Sequence, residues 1–286
     1  GYTERPLNVL RPDGSWFNFD CGSSARNIYT TKMIVDFNDN IWFASEEHGL
    51  FGYNHNNTID DESDDEYIHV YTGVNSGNLP SPNVTAIAAD FDGEIWVGTD
   101  AGFAILYNAA NTFAGNAGDF DVQRVKVTFE GNVEYVLGNT HITDIEVDGG
   151  NRKWVATANA GILLLSADGS EILEQFTTEN SPLVSNNIFD LKLDQNSGEL
   201  YIITDNGLGE SSIPRGECPE GYSRDLSSGK CIQKCINCVY RDNMKSREFN
   251  EADPCFPNGV YNGVTNEGFI KCTCGADNQY CSNNFI

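Results

Sequence analysis

The amino-acid sequence predicts an all-β protein, with a β-propeller over residues 1–217 and a small disulfide-rich module over residues 218–286. Three observations lead to this prediction. A pattern of short strands repeats four times, helical periodicity is absent, and cysteines crowd the end of the chain. With 286 residues, 40% of them hydrophobic, the chain is long enough for a sizeable core and too apolar to be disordered.

The repeat is marked by one aromatic residue in the second strand of each unit, followed by a glycine that opens the third strand. These aromatic residues are Trp42, Trp96, Trp154 and Tyr201. They recur at steps of 54, 58 and 47 residues, somewhat longer than a usual propeller blade because polar loops lengthen the units. The sequence therefore predicts four visible blade units.

An alternating apolar run precedes each aromatic residue and predicts the innermost strand of a blade. The four runs are Lys32–Phe37, Val84–Asp90, Ile142–Asp148 and Ile188–Asp194. Each leads into Asp, Asn or Gly residues, which tight turns between strands require. More exposed outer strands are expected at Tyr67–Thr72, Val122–Phe129 and Ile172–Thr177.

The ends of the repeat region leave the closure of the ring open. Two further strands, about Leu7–Leu10 and Trp16–Asp20, precede the first unit, and the last unit ends near Ile213 without an evident outer strand. The two N-terminal strands complete the last blade of a ring of four, or additional blades precede Gly1 in a larger ring. A third alternative is an open half-ring that another chain completes, because unpaired strand edges invite strand addition.

Two stretches of the repeat region resemble known propellers. Val84–Thr99, with the sequence VTAIAADFDGEIWVGT, resembles the repeat of two-component-regulator propellers, and Glu179–Leu208 is similar to the propeller of PorZ-type proteins of the bacterial type IX secretion system. The resemblance covers about Lys32–Ile213. It implies a propeller that serves as a ligand sensor, a secretion component or a scaffold. A PorZ-type protein would continue into a β-sandwich sorting domain, whereas this chain continues into cysteines.

The last segment of the chain differs sharply in composition from the repeats. Residues 1–217 hold 24 more acidic than basic residues, whereas residues 218–286 hold only one more. Eight of the nine cysteines lie in this last segment, a density typical of a disulfide scaffold. They are Cys218, Cys231, Cys235, Cys238, Cys255, Cys272, Cys274 and Cys281.

Disulfide bonds explain these cysteines better than zinc does. Cys235 and Cys238 have the spacing of a zinc knuckle, but the chain lacks a second such pair to complete four ligands. Disulfides form in oxidising compartments, so the sequence predicts a secreted or cell-surface protein. We expect one bond between Cys218 and Cys231, although spacing alone does not fix connectivity.

The end of the cysteine-rich segment resembles an EGF-like module that lacks its first and third cysteines. The resemblance rests on Asp253–Gly259 and on the stretch from Lys271 to Cys281. It implies the bonds Cys255–Cys272 and Cys274–Cys281. Cys21, Cys235 and Cys238 remain unassigned, and the odd number leaves at least one cysteine free or bonded to another chain.

The charge of the chain excludes one class of partner. It carries 17 basic and 42 acidic residues, a formal charge of −25, whereas nucleic-acid binding needs a basic surface. No uninterrupted apolar stretch approaches the ~20 residues that a membrane-spanning helix needs. The expected partners are therefore other protein chains, in a homo- or hetero-oligomer, with carbohydrate as a further candidate.

Catalytic candidates are sparse, and the sequence predicts a non-enzymatic protein. The four histidines, His48, His55, His69 and His141, occupy different repeat positions, and only His141 precedes an innermost strand, where it would face the central channel. The repeats are loosely similar to those of virginiamycin B lyases, which need a base and a metal site clustered at the channel mouth. The sequence contains no such cluster.

Several acidic and amide residues have a structural interpretation and a binding one. Carboxylates in Asp36–Asn40 and Asp90–Gly93 alternate as Ca²⁺ ligands do, but Asp, Asn and Gly also suit tight turns, so no cofactor is predicted. The acidic run Asp60–Glu66 is expected to be a solvated loop, with Ca²⁺ or a basic partner as the alternative. Asn56 and Asn83 lie in glycosylation sequons, and Asn56 in its polar loop is the more accessible.

Together these features predict a non-enzymatic extracellular interaction module, a subunit of a cell-surface or filamentous assembly. The propeller would present a rigid rim for recognition, and the tail would tether it to neighbouring chains, with the odd cysteine offering a covalent link. The alternatives are a ligand- or carbohydrate-sensing propeller and a PorZ-like component of type IX secretion.

Overall fold

The computed structural model describes residues 5–113, 119–129, 132–195 and 197–211, and seven short strands between residues 222 and 283. The chain divides into two compact units, Gly1–Gly216 and Glu217–Ile286. In the described residues the only helices are two single 3-10 turns, Ser23–Ala25 and Ala109–Asn111. The all-β prediction is confirmed for this part of the chain.

The described residues of the first unit form eighteen strands, each four to six residues long. They are β1 (Leu7–Leu10), β2 (Trp16–Phe19), β3 (Thr30–Val35), β4 (Ile41–Ser45), β5 (Gly49–Asn54), β6 (Glu66–Val70), β7 (Val84–Ala89), β8 (Ile95–Thr99), β9 (Gly102–Leu106), β10 (Lys126–Phe129), β11 (Asn132–Tyr135), β12 (Ile142–Val147), β13 (Lys153–Thr157), β14 (Ile162–Leu165), β15 (Ile172–Phe176), β16 (Ile188–Leu193), β17 (Leu200–Thr204) and β18 (Gly207–Ser211).

The second unit holds short antiparallel strands. They are β19 (Tyr222–Arg224), β20 (Cys231–Gln233), β21 (Arg241–Asp242), β22 (Lys245–Ser246), β23 (Val260–Val264), β24 (Ile270–Cys274) and β25 (Gln279–Asn283). β19 pairs with β20, β21 pairs with β22, and β23, β24 and β25 form a three-stranded sheet. Cys272 of β24 lies opposite Cys281 of β25 in this register. The side chains of this unit lie outside the described residues, so its predicted disulfides remain predictions.

Four antiparallel sheets of the first unit follow one another as blades. Blade 1 is β3–β6, blade 2 is β7–β9, blade 3 is β12–β15 and blade 4 is β16–β18. Their first strands are neighbours in space in the same order, β3 beside β7, β7 beside β12 and β12 beside β16. The predicted innermost strands and the order of the four units are confirmed. β1 and β2 form a two-stranded sheet of their own and do not pair with blade 4.

An aspartate at the end of each of the first three innermost strands builds the turn to the second strand. The Asp36 carboxylate accepts hydrogen bonds from the backbone N–H groups of Asn38 and Asn40, and from Trp42 Nε1 at 2.8 Å. The equivalent carboxylates of Asp90 and Asp148 accept from Trp96 Nε1 at 3.1 Å and Trp154 Nε1 at 3.3 Å. These bonds fix the indole that packs toward the next blade, which supports the structural interpretation of the turn residues.

The four blades share one register, including a β-bulge after the first residue of the innermost strand. The bulge separates Thr30 from Lys32 in blade 1, and the same irregularity occurs in blades 2, 3 and 4. Residues that occupy equivalent positions can therefore be compared across blades. We define the front face of a blade as the one toward the preceding blade and the back face as the one toward the following blade.

Apolar side chains fill the three interfaces between consecutive blades. Between blades 1 and 2, Trp42 and Ala44 of the back face meet Ile87 and Val97 of the next front face. The two following interfaces repeat this arrangement with Trp96 and Trp154. The core therefore lies between blades, as sheet-on-sheet packing requires.

One predicted outer strand is wrong. The sequence pattern placed the fourth strand of blade 2 at Val122–Phe129, but only Gln123 bridges to Ile105, through two backbone hydrogen bonds of 2.9 and 2.8 Å. The chain then leaves the sheet and forms the separate hairpin β10–β11. Asp121 explains part of this path, because its carboxylate accepts the backbone N–H groups of Asn75 and Gly77 and holds the segment near the end of blade 1.

Candidate interaction site at the open end of the blades

The front face of blade 1 differs from the other three front faces in its exposure. Met33 occupies the same register position as Ile87, Ile145 and Leu191. Its exposed fraction is 60%, against 4%, 3% and 2% for the other three. Val35 is also exposed on this face. No described blade covers these two side chains, although the same positions form the core elsewhere.

The hairpin β1–β2 covers only the outer part of this front face. Leu7 and Phe19 pack against Phe43 and Phe51 of blade 1. Phe19 and Tyr53 lie with ring centroids 5.3 Å apart. These contacts lie over β4 and β5, whereas β3, which carries Met33 and Val35, stays uncovered.

The acidic run Asp60–Glu66 holds this hairpin in place. Arg5 donates to Glu62 at 2.6 Å, and Arg11 donates to Asp60 at 2.7 Å. At the base of the run, the Tyr53 hydroxyl donates to Asp65, and burial together with this bond raises the pKa of Tyr53. Residues 60–64 are exposed, as expected of a solvated loop, and two arginines from the N-terminal segment also pair with the run.

A cavity separates the hairpin from the innermost strand of blade 1. Its volume is about 240 Å³. The lining residues are Pro6, Leu7, Thr30, Thr31, Lys32, Met33 and Phe43. Pockets for drug-sized ligands have volumes of about 300–1,000 Å³. The cavity is smaller than these pockets, and its lining combines apolar side chains with two threonines and a lysine.

Charged side chains from three innermost strands meet beside this cavity. Lys32 Nζ of blade 1 lies 2.9 Å from Asp144 Oδ1 of blade 3 and 2.5 Å from Asp190 Oδ1 of blade 4. The other oxygen of Asp144 accepts the backbone N–H of Leu191 at 2.9 Å. A second ion pair lies two residues further along the innermost strands, with Lys192 Nζ 2.6 Å from Glu146 Oε1. These ion pairs connect the innermost strands across the centre of the blades.

Burial and ion pairing compete in setting the pKa values of these groups. Burial disfavours the Lys32 ammonium, but Asp144 and Asp190 outweigh this and raise its pKa. Burial raises the pKa of Asp144 and that of Glu146. Each carboxylate nevertheless has a lysine within ion-pair distance, so the cluster is suited to holding strands together.

The sequence contained a signal for this cluster that pattern reading missed. Lys32, Ala86, Asp144 and Asp190 occupy the same register position, directly after the bulge of each innermost strand. One basic and two acidic residues at equivalent positions of different blades predict a charge pair across the channel. Only the alignment of the bulges makes these positions equivalent.

A buried ion pair also lies between blades 2 and 3. Lys153 and Asp90 are both fully buried, with Nζ 2.8 Å from Oδ2. Lys153 also donates to the carbonyl oxygens of Asn151 and Ala167 and lies 4.4 Å from the Trp96 ring centroid. Burial lowers the pKa of Lys153. Nearby, burial and the Asp90 charge raise the pKa of Glu94 to about 7.

The back face of blade 4 is the second open face. Tyr201 and Ile203 are 37% and 43% exposed, whereas the equivalent Trp42 and Ala44 of blade 1 are fully buried. Phe189 of the innermost strand is exposed on the same side. The described blades therefore end in uncovered apolar positions on both sides.

Of the four histidines, His48 and His69 form local side-chain contacts. His69 Nε2 donates to the His48 carbonyl oxygen at 2.7 Å, and the His69 ring stacks on Phe51 with centroids 4.4 Å apart. His141 is exposed and directly precedes β12, and His55 is half-buried in the loop after β5. In the described residues no group of three or more His, Cys, Asp or Glu side chains has an arrangement suited to a metal ion.

Cys21 does not offer the covalent link that an odd cysteine suggested. It is buried in the core between the hairpin and blade 1, with 3% exposure. Burial raises the pKa of its thiol to about 12, so the reactive thiolate is rare near neutral pH. The side chains of Cys218, Cys231, Cys235, Cys238, Cys255, Cys272, Cys274 and Cys281 lie outside the described residues.

Both sequon asparagines have hydrogen-bond partners. Asn56 is exposed, and its side-chain amide donates to the Asp64 carbonyl oxygen. Asn83 is half-buried, donates to Asp100 at 2.8 Å and accepts the Glu47 N–H at 2.9 Å. Glycosylation at either position remains a prediction.

None of the helices in the described residues has the length and apolar composition that a membrane crossing requires.

The repeat region is similar in sequence to known proteins. A family model described as "Two component regulator propeller" matches residues 78–101, which include β7 and β8. A histidine kinase P4 of Formosa agariphila is 30% identical over 99 residues, which is 35% of this chain and 7% of the kinase.

Solved structures of similar fold include two bacterial proteins. PorZ of Porphyromonas gingivalis, a surface component of the type-IX secretion system, is 25% identical with a TM-score of 0.66, over 96% of this chain and 41% of PorZ. The extracellular domain of the putative one-component system BT4673 of B. thetaiotaomicron is 11% identical with a TM-score of 0.48, over 97% of this chain and 36% of its own. The chain thus spans less than half of these relatives. The family-model match and the likeness to PorZ confirm that the repeats of this chain are β-propeller repeats.

Proposed function

We propose that this protein is a non-enzymatic extracellular β-propeller module that binds other protein chains through its open blade faces. The observation that carries the proposal is the exposure of Met33, where three equivalent residues are buried. Large uncovered apolar positions flanked by polar residues are typical of protein interfaces.

The central charges favour a binding role over catalysis. The lysines and carboxylates of the innermost strands are within ion-pair distance of each other, and the turn aspartates accept backbone N–H groups. A catalytic base or nucleophile instead needs a group that is free to meet a substrate. The titratable groups on the described strands are thus suited to fixing blades in position.

An extracellular location is supported by the likeness to PorZ, a bacterial surface component, at 25% identity. The predicted disulfides of the cysteine-rich segment favour the same location. The net charge of −25 favours a partner with a basic surface, because complementary charge speeds association. Two open faces on opposite ends of the blades suit head-to-tail contacts in an assembly at the cell surface.

A second candidate function is a role in type IX secretion like that of PorZ. The structural likeness to PorZ, with a TM-score of 0.66, specifically favours it. A ligand-sensing or carbohydrate-binding propeller is a weaker alternative, since the cavity beside Lys32 is small. Deletion of the gene in its source, followed by a test for secreted enzymes, separates the secretion role from the others.

The native mass of the full chain tests the proposal. We expect material from its source to elute as a complex heavier than one chain, measured by light scattering after size exclusion. Met33→Asp should dissociate this complex, because a carboxylate at the contact would be buried without a partner. Val133→Asp is the matched control, since Val133 is equally exposed but lies on the separate β11 strand. A single-chain mass for the wild type would contradict the proposal.

A further inference from the structure

The residue four positions after the turn aspartate differs between the first three blades. It is Asn40 in blade 1, Glu94 in blade 2 and Arg152 in blade 3, and in each blade its backbone N–H donates to the aspartate at 3.0 Å. In blades 1 and 3 its side chain donates to the same carboxylate, from Asn40 Nδ2 at 2.9 Å and from Arg152 Nε at 2.9 Å. Blade 2 has a glutamate at this place, which donates a hydrogen bond only when it carries a proton.

A lysine of blade 3 is a second exception, and it lies beside the first. β13 begins with Lys153. The second strands of the other three blades begin with an aliphatic residue, namely Ile41, Ile95 and Leu200. Lys153 Nζ lies 2.8 Å from Asp90 Oδ2, and both side chains are fully buried. Its other two donors bond the carbonyl oxygens of Asn151 at 2.8 Å and Ala167 at 2.5 Å, so the ammonium has no donor left for an ionised Glu94.

Asn151 connects the turns of blades 2 and 3 through two side-chain hydrogen bonds. Its Oδ1 accepts the backbone N–H of Phe91 at 3.0 Å, and its Nδ2 donates to Asp92 Oδ2 at 2.8 Å. We call these two bonds the Asn151 clasp. Because the carbonyl oxygen of the same residue accepts the bond from Lys153, the clasp is directly linked to the buried ammonium.

The Glu94 carboxyl lies among titratable groups of both blades. These groups are Asp90, Asp92, Tyr107, Lys153 and, acting on Tyr107, Asp168. Burial raises the pKa of Glu94 most, the two aspartates of its turn raise it further, and Lys153 lowers it, which gives a value of about 7. Burial and the neighbouring carboxylates raise the pKa of Tyr107, so this phenol stays neutral where Glu94 titrates.

We propose that Glu94 is a pH-sensitive switch that controls the Asn151 clasp between blades 2 and 3. With its proton, the Glu94 carboxyl donates to Asp90, as the side chains at the same place do in blades 1 and 3. Without the proton, it repels Asp90 and draws the Lys153 ammonium away from the Asn151 carbonyl oxygen, which loosens the clasp. The joint between the two blades is then tighter in acidic surroundings. This inference does not rest on the proposed binding function.

The burial of the groups decides which contact yields when Glu94 loses its proton. Asp90 and Lys153 are fully buried, and separating them would leave a charge without a partner in the interior. Asn151 is half-buried and Asp92 is exposed, so water can replace the bonds of the clasp. The clasp therefore opens while the ion pair stays closed.

Hydrogen exchange of single backbone amides, measured by NMR on the full chain, tests this inference. The Phe91 amide reports the clasp, because its acceptor is Asn151, and the Asn38 amide is the reference, because its acceptor is Asp36 of its own turn. After correction for intrinsic exchange, we expect the protection of the Phe91 amide to fall as pH rises from about 5 to about 7 and to level off above that. The loss should be about tenfold, which corresponds to one pKa unit between the closed and the open clasp. The protection of the Asn38 amide should stay constant.

Two variants locate the switch. Glu94→Gln keeps a donor at every pH, so the Phe91 amide should retain its low-pH protection throughout. Glu199→Gln is the matched control, since Glu199 directly precedes the second strand of blade 4, and it should leave the wild-type profile unchanged. Circular dichroism verifies that both variants are folded.

Three results would overturn the inference. The first is a Phe91 amide whose protection does not change with pH in the wild type, which needs no variant to be observed. The second is the wild-type profile in a folded Glu94→Gln chain. The third is an equal loss of protection at Val97, in the middle of β8, because the pH effect would then be global unfolding and not the opening of the clasp.

Discussion

Blades 1 and 3 are both four-stranded antiparallel sheets with the same register, yet their front faces have different surroundings. In blade 3, Ile145 and Val147 lie against blade 2. In blade 1, the equivalent Met33 and Val35 are exposed, and only the outer strands are covered, by β1 and β2. The same alternation of apolar residues thus builds a core in one blade and an open face in the other. Whether a front face is buried depends on the neighbouring blade, which the local sequence does not specify.

The largest expected effect comes from the buried ion pair at the interface between blades 2 and 3. Lys153→Met would leave the Asp90 carboxylate buried without its partner, so we expect a loss of about 3–5 kcal/mol in unfolding free energy. Urea denaturation measures this loss. The double variant with Asp90→Asn should recover part of it, and an unchanged stability of Lys153→Met would show that the pair is solvated.

The next effect compares the two front faces directly. Ile145→Ala removes a buried side chain and should cost about 2–5 kcal/mol, the usual range for such core truncations. Met33→Ala removes an exposed one and should change stability by less than about 0.5 kcal/mol in the isolated chain. Equal losses in urea denaturation would mean that the front face of blade 1 is covered in solution.

A pH effect distinguishes blade 2 from blade 1. Burial raises the pKa of Glu94 to about 7, above its value in the unfolded chain, so the folded state favours the protonated carboxyl. The stability that the protonated Glu94 carboxyl contributes is complete at low pH and is lost as pH rises through about 7. We expect the thermal midpoint to fall between pH 5 and 8 in the wild type and to fall less in Glu94→Gln. Blade 1 has Asn40 at this position, and an amide does not titrate, so the equivalent position of blade 1 adds no such dependence. An identical pH profile for wild type and variant would contradict this assignment.

The smallest effect concerns the clamp on the β1–β2 hairpin. Arg5 and Glu62 are both substantially exposed, so Arg5→Ala should lower the global stability only slightly, because exposed ion pairs contribute little to folding. Local opening of the hairpin should change more, because Arg5 also donates to the Asn18 carbonyl oxygen at 2.7 Å. Faster hydrogen exchange confined to β1 and β2 is the expected result, and uniform change across all blades would contradict it.

The sequence predicted those parts of the fold that depend on neighbouring residues. The turn aspartates and the tryptophans are six residues apart, so pattern and turn chemistry located the first two strands of each blade. The role of Asp60–Glu66 depended on Arg5 and Arg11, which lie about fifty residues away in the chain, and was not predicted. Contacts across this distance depend on how the blades are arranged.

The candidate site was predicted even less well. Its open face is defined by the lack of a described blade in front of Met33, and its charges meet where the innermost strands of blades 1, 3 and 4 come together. Lys32 and Asp190 are 158 positions apart in the chain, so only the packing of four blades brings them together. The prediction of an outermost strand for blade 2 was wrong for the same reason, because Asp121 accepts a hydrogen bond from a loop of blade 1.

Oxidative footprinting of Met33 tests the central claim most directly. Hydroxyl radicals oxidise an accessible methionine side chain, and Met33 is the exposed residue at the centre of the open face. In the isolated chain we expect rapid oxidation of Met33, and in the native complex from source material we expect oxidation at least fivefold slower. Equal oxidation in the isolated chain and in the complex would contradict the claim that this face binds the partner.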